Sequence, residues 1–329
     1  MAQLRNPSFH IEPKPAGARA AKAGRRVGFF GELFRNRTLY LMFLPVAAFY
    51  VAFAYIPMTG IVMAFKDFNY TDGIWMSPWN GIANFRYFFV SGKAWLVTQN
   101  TLMYNTIFLT CYTAFSIVVA ILISEMSGRY FKKIAQSFMF LPYFISWVVV
   151  AAFAYNFLNY DYGVVNTALK ALGHAPLDIY RNGSYWYFIL PALYVWKWIG
   201  FGSVLYLAAI MGMDQECFEA ATIDGANVFQ KIWYITLPML KSTVIILVLL
   251  GVGRIMRGEF DMFYNLVGTN GLLMDKTDII DTFVFRCLMG IQDWGMASSA
   301  GLYQSVLCLV IILVFNGLAR KFDRDSALF

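Results

Sequence analysis

Six apolar stretches, each long enough to cross a lipid bilayer, constrain this chain more than any other feature. They fall at about Tyr40–Phe65, Thr101–Ser124, Ala135–Leu158, Trp186–Met211, Ser242–Phe263 and Met296–Leu318. A hydrocarbon core about 30 Å thick needs roughly 20 helical residues, and tilt accommodates the longer runs. Lipid offers the backbone no hydrogen bonds, so a spanning segment must be a helix or belong to a closed barrel. Runs of this length select the helix: an all-α membrane protein with six transmembrane helices. Composition agrees. The chain is 59% hydrophobic and 14% charged, whereas soluble domains carry about 25% charged residues.

Pro45, Pro57, Pro142 and Pro191 lie inside the runs and predict kinks, because each removes a backbone donor. Trp75, Trp79, Trp95, Tyr185, Trp186, Tyr187 and Trp294 flank the runs and read as an interfacial aromatic belt. The first run begins too late, and is too long, for a cleaved signal segment. Residues 1–38 hold eight Lys/Arg and two Glu, the balance of a cytoplasmic flank. Within them Ala16–Ala23 reads as a disordered tail and Val27–Phe34 as a short interfacial helix. The membrane domain is then 39–329. With the N-terminus inside, the inner segments carry 16 Lys/Arg and the outer loops 7, which predicts that both termini are cytoplasmic.

The net charge of +7 arises largely in that flank. No folded basic platform is present, so nucleic acid is not an expected partner. Cys111, Cys217, Cys287 and Cys308 show no CxxC spacing and read as small hydrophobes, with neither a disulfide set nor a metal site.

The longest internal cytoplasmic loop, 212–241, carries the most specific pattern. Glu219-Ala220-Ala221 is followed after three residues by Gly225, after nine more by Ile235, and then by Leu237-Pro238. Glu219 to Asp224 favours a short helix, Gly225 permits a sharp change of direction, and Asn227–Thr236 resumes as helix ahead of Pro238. A helix–glycine–helix projecting from a membrane protein suits the docking of a partner. This pattern resembles the EAA loop of binding-protein-dependent ABC importer permeases of the maltose-permease-like group. Further stretches resemble the subfamily associated with complex oligosaccharides and polysaccharide fragments: Gly258-Glu259-Phe260-Asp261, Thr277–Arg286, Ser298–Val306 and Asn316. The resemblance covers nearly everything after Tyr40.

The resemblance implies a type I importer permease fold with a cytoplasmic coupling helix, in the bacterial inner membrane. It implies pairing with a second homologous permease subunit. Two ATPase subunits would dock on the EAA loops, and a periplasmic solute-binding protein would deliver the saccharide. Glu219, Ala220, Ala221, Asp224, Gly225, Ile235, Leu237 and Pro238 would then form the ATPase-coupling surface. No GxxxxGK[ST] loop occurs in the sequence, so this chain is not expected to be an enzyme or to bind a cofactor. ATP and Mg would sit on the partner ATPase.

Ionisable residues within spans are functional candidates by default. Lys197, in Tyr194-Val195-Trp196-Lys197-Trp198, either faces the central passage among stacking aromatics, pairs with a carboxylate of the partner subunit, or snorkels. Arg254 and Arg257 would share one face of span five. They either pair locally with Glu259 and Asp261 or face the cargo. By resemblance the second half of that span, from Gly251 to Gly258, lines the sugar path. An arginine fork there matches a carboxylate, so an acidic, alginate-like fragment would fit. The alternatives are a permease for neutral oligosaccharides or an ion-coupled secondary transporter, for which no internal repeat is evident. The topology has a direct check: a reporter active only in the periplasm, fused after Phe329, is expected to stay silent, and a strong signal would overturn the orientation.

Overall fold

The computed structural model describes residues 36–322. Ala16–Ala23, Val27–Phe34 and the end of the chain lie outside the described residues. The chain divides into two units, residues 1–59 and 60–329. The first unit carries most of helix α1, Arg37–Phe65. Its hydrogen-bond ladder widens to a π-turn over Val51–Tyr55, just ahead of Pro57, which has no N–H to offer the carbonyl four residues back.

The second unit is helical throughout; the bridge between Lys66 and Trp79 is the only β-type pairing among the described residues. Helix α2 (Ala83–Val90) is short and surface-lying, and α3 (Lys93–Glu125) is the longest span, starting eight residues earlier than the apolar run suggests. Helix α3 packs along α4 (Trp186–Met211). Their crossing is tight because small residues meet there: a Cβ at Gly202 would come within 2.3 Å of Ser116 Oγ. Without a hydrophobic driving force between helices in lipid, such close approach is a main source of association. Toward the Trp186 end of α4, one apolar cluster joins Tyr104, Phe108, Trp147, Trp186, Leu190 and Phe263. Trp186 therefore does not belong to an interfacial belt. It is fully buried, and its indole N–H donates to the Ile179 carbonyl at 3.0 Å.

Sequence reading expects one span over Ala135–Leu158 with a kink at Pro142. The structure instead breaks it. The helical stretch Arg129–Phe144 and α5 (Trp147–Leu158) meet at 91°, joined through a 3-10 turn at Leu141–Phe144. A break inside the membrane frees carbonyls, and here they converge on one ammonium. Lys197 Nζ donates to Pro142 O at 3.4 Å, to Tyr143 O at 3.2 Å and, at closer range, to Ile145 O. Gly200, on the same helix, lies so near Met139 that a Cβ would sit 2.1 Å from its carbonyl oxygen. The bend is thus seated directly on α4. Ser146 caps the outgoing helix by accepting from the Val149 N–H at 3.4 Å.

The fifth span is also shorter than its apolar run. Helix α6 (Val228–Val252) ends at Val252, and residues 253–259 pass through tight turns, with Arg254 N–H bonded to Gly251 O at 2.9 Å and Arg257 N–H to Arg254 O at 2.8 Å. Arg254 and Arg257 therefore do not share a helical face. Gly251, Gly253 and Gly258 lower helix propensity across this stretch by about 1 kcal/mol each relative to alanine. Helix α7 (Phe260–Leu266) resumes beyond the break, followed by α8 (Ile280–Arg286) and the last span, α9 (Trp294–Phe322).

Removing the ammonium at the bend is expected to destabilise the fold. Lys197→Met keeps the length of the side chain and leaves buried carbonyls without a donor, each worth about 1–3 kcal/mol. A marked drop in the thermal midpoint of the detergent-solubilised protein is the expected result; an unchanged midpoint would show that the bend does not rely on Lys197.

Candidate functional site

A cavity of about 680 Å³ lies between α3, α4, α6 and the 253–259 segment. Its aromatic wall is built by helical spacing. Phe108 and Tyr112 come from successive turns of α3, and Tyr194, Trp198 and Phe201 from successive turns of α4. Phe108 and Tyr194 stack face to face at 4.5 Å and 10°. Rings of this kind suit the apolar faces of sugars. The opposite wall is the helix break, which presents Arg254, Arg257, Gly258 and Glu259.

The break holds its shape because side chains from other helices take up its freed backbone groups. Asn105 Nδ2 donates to Ile255 O at 2.7 Å and to Arg257 O at 3.1 Å. Gln304 Nε2 donates to Met256 O at 2.6 Å, and Cys308 Sγ lies 3.4 Å from Gly253 O. The Gly258 N–H donates to Asp281 Oδ2 at 2.7 Å. A Cβ at Gly258 would sit 2.2 Å from Ile279 Cδ1, so a side chain there would have to displace the buried Ile279.

The arginines themselves are exposed to the cavity. Among the described residues the ion pairs are Arg181–Asp178 and Arg286–Asp278, so neither Arg254 nor Arg257 is paired with Glu259 or Asp261. Glu259 instead accepts from Trp147 Nε1 at 3.1 Å, and Lys197 Nζ lies 5.2 Å from the Trp147 ring. Lys197 and Glu259 interact electrostatically across that indole. Of the residues singled out in sequence, Tyr194, Trp198, Gly251, Arg254, Arg257 and Gly258 meet at the cavity. Lys197 is 6% exposed at the bend, and Trp196 is 43% exposed and outside the cavity wall.

The second feature is the 212–241 loop. Helix α10 can be assigned to Gln215–Ile223, capped by Asp214, whose carboxylate accepts from the Glu216 N–H at 3.0 Å. Gly225 adopts φ +81, a region that only glycine enters freely, and this lets Ala226 N–H close back on Ala221 O at 2.9 Å. A capping box between Asn227 and Gln230 then opens α6. The ladder widens to a π-turn at Ile232–Thr236, since Pro238 withholds its N–H. Lys231 Nζ bonds Thr222 Oγ1 at 2.8 Å and ties the two helices. Glu219, Ala220, Asp224, Gly225 and Pro238 are exposed, while Ala221, Ile235 and Leu237 are half-buried. Around them Ile223 is 87% and Phe229 82% exposed, an apolar face left open at the end of the helix pair.

Residues 114–325 match the model of the binding-protein-dependent transport system inner membrane component family. The chain belongs to this family. It is similar to protein LplB of Bacillus subtilis, 32% identical over 95% of this chain and 98% of the relative. It is also similar to the polygalacturonan/rhamnogalacturonan transport system permease protein YteP of the same organism, 30% identical over 93% of this chain and 94% of that one. A solved structure of a bacterial ABC transporter involved in import of the acidic polysaccharide alginate matches with a TM-score of 0.81 and 31% identity, covering 89% of this chain and 98% of that chain. A second, in complex with an alginate pentasaccharide-bound periplasmic protein, matches with a TM-score of 0.80. The fold is that of a type I ABC importer permease, a transport component and not an enzyme.

Sequence reading of the permease missed half of the cavity. Phe108, Tyr112 and Phe201 went unnoticed although their spacing with Asn105, Tyr194 and Trp198 marks one face on each of two helices. It also missed the structural use of Asn105 and Gln304, which only the break makes necessary. Asp278 and Arg286 bind each other at 2.5 Å, and Asn100 Nδ2 donates to Asp278 O at 3.0 Å; these residues fix the loop ahead of α8. Among the described residues no cluster of His, Cys, Asp and Glu could hold a metal ion.

Proposed function

We propose that this permease forms half of the path for an acidic oligosaccharide and that Arg254 and Arg257 meet the cargo's carboxylates. The observation that carries this reading is a pair of arginines without ion-pair partners in an aromatic cavity. An unpaired arginine in the membrane is costly, about 2.5–3.5 kcal/mol on the insertion scale, unless water or a ligand serves it. The polymers named for YteP and for the alginate importer are both rich in uronic acids, which supports a shared chemistry.

In this reading a second homologous permease completes the passage, and a periplasmic binding protein delivers the saccharide. Two ATPase subunits hold the ATP and Mg, each docking against an α10 helix. The open apolar face at Ile223 and Phe229 beside Glu219 supports α10 as that docking surface. The permease sits in the bacterial inner membrane with both termini in the cytoplasm, residues 1–38 forming a tail and 39–329 the membrane domain. Closure of the ATPase pair would rock the α10–α6 unit as a rigid body and turn the cavity outward, and hydrolysis would return it inward.

Two measurements test the reading. Arg254→Gln in the reconstituted complex is expected to weaken an acidic oligosaccharide selectively. A charge-assisted hydrogen bond is worth roughly 1.5–3 kcal/mol, about 10- to 150-fold in apparent affinity. Equal loss for acidic and neutral cargo, or none for either, would remove Arg254 from the path. Gly225→Pro cannot adopt the left-handed backbone at the loop. It is expected to leave membrane insertion intact and to lower cargo-stimulated ATP hydrolysis; normal coupling in an assembled complex would sink the docking role.

A further inference from the structure

Glu259 is out of place in a cavity for an acidic cargo. It shares a wall with two arginines, yet no arginine pairs with it. Its backbone neighbour Gly258 is pinned by the Asp281 carboxylate and by contact with Ile279, which fixes the spacing from Arg257 to Glu259. The Trp147 indole holds one carboxylate oxygen at 3.1 Å; the other has no hydrogen-bond partner among the described residues. The wall therefore presents two cations and one anion with no direct ion pair among them, although Lys197 acts on Glu259 from across the Trp147 indole and Arg257 acts on Asp281.

From this arrangement we infer that Glu259 sets cargo specificity and release, a reading that rests on the cavity being the saccharide path. Its free oxygen accepts hydrogen bonds from sugar hydroxyls. Its charge opposes a cargo carboxylate at the same position. Discrimination often includes such a repulsive element, and a transport path needs binding that is firm enough to enter and weak enough to leave. Two arginines alone would retain a polyanion; Glu259 holds that affinity down and favours cargo that offers a hydroxyl where Glu259 stands.

The test is equilibrium binding to the detergent-purified complex of both permeases and the ATPase, without binding protein. The probes are an alginate pentasaccharide and its carboxyl-reduced, neutral counterpart. Glu259→Gln keeps an acceptor for the Trp147 N–H and removes only the charge. It is expected to tighten the acidic probe about tenfold, equivalent to about 1.4 kcal/mol, and to leave the neutral probe within about twofold. Trp147→Phe removes the hydrogen bond and keeps the charge, so it is expected to leave the acidic-to-neutral ratio as in the wild type. If Glu259 merely supports the fold, both variants shift both probes alike, which overturns the inference. Failure of Glu259→Gln to tighten the acidic probe overturns it as well. If the cavity is not the path, Arg254→Gln also leaves both probes unchanged, which separates that failure from this one.

Discussion

Everything in this fold depends on one requirement: a backbone group in hydrocarbon must find its hydrogen bond inside the protein. Regular helices meet it by themselves, and most of the chain is helix. Two places depart from it, the 91° bend before α5 and the turn segment after α6. Each departure frees several carbonyls and each is served by side chains from neighbouring helices. At the bend the server is Lys197, whose three donors suit three convergent acceptors. At the second break the servers are Asn105, Gln304 and Asp281. These polar residues lie inside spans for the sake of the backbone.

The two breaks meet through Trp147. Its ring receives the Lys197 ammonium and its N–H holds Glu259, so one indole joins the bend to the wall of the cavity. The aromatic wall rests on straight helices and the charged wall on a turn segment. Stacking surfaces are thereby presented by rigid elements, and charges by a loop whose position is fixed at its carbonyls. On the opposite end of α6, the π-turn ahead of Pro238 and the left-handed Gly225 set the angle of α10. Both ends of that one helix are shaped by residues that interrupt the regular ladder.

Much of this was legible in the sequence. Six long apolar runs gave the class and the approximate spans, since lipid leaves few alternatives. The Glu219-Ala220-Ala221 to Pro238 pattern located the helix–glycine–helix loop because glycine and proline have strong local geometric effects. What the sequence did not show were the two interruptions inside apolar runs. Hydropathy is blind to them: Ile145, Ser146 and Trp147 read as span whether the backbone turns there or not. Once the bend is missed, Lys197 looks like a charge in search of cargo. Likewise Arg254 and Arg257 look like neighbours on a helix until Gly253 and Gly258 are seen to end it. The glycine density of 251–258 was the available clue, and it identified the break only when joined to the donors at Asn105 and Gln304.

The suspended turn segment has a consequence for how such a transporter diversifies. Its attachments to the rest of the protein run through main-chain oxygens and one main-chain nitrogen, through the buried Ile255 and Met256, and through the Glu259 carboxylate on Trp147. The side chains at 254 and 257 make none of those hydrogen bonds, although Arg257 acts electrostatically on Asp281. Mutational drift at these two positions can therefore sample new charge patterns without disturbing the scaffold. Positions 105, 281 and 304 have no such latitude, because a change there releases the loop itself. The fold thus separates an evolvable surface on the turn segment from frozen supports on three other helices.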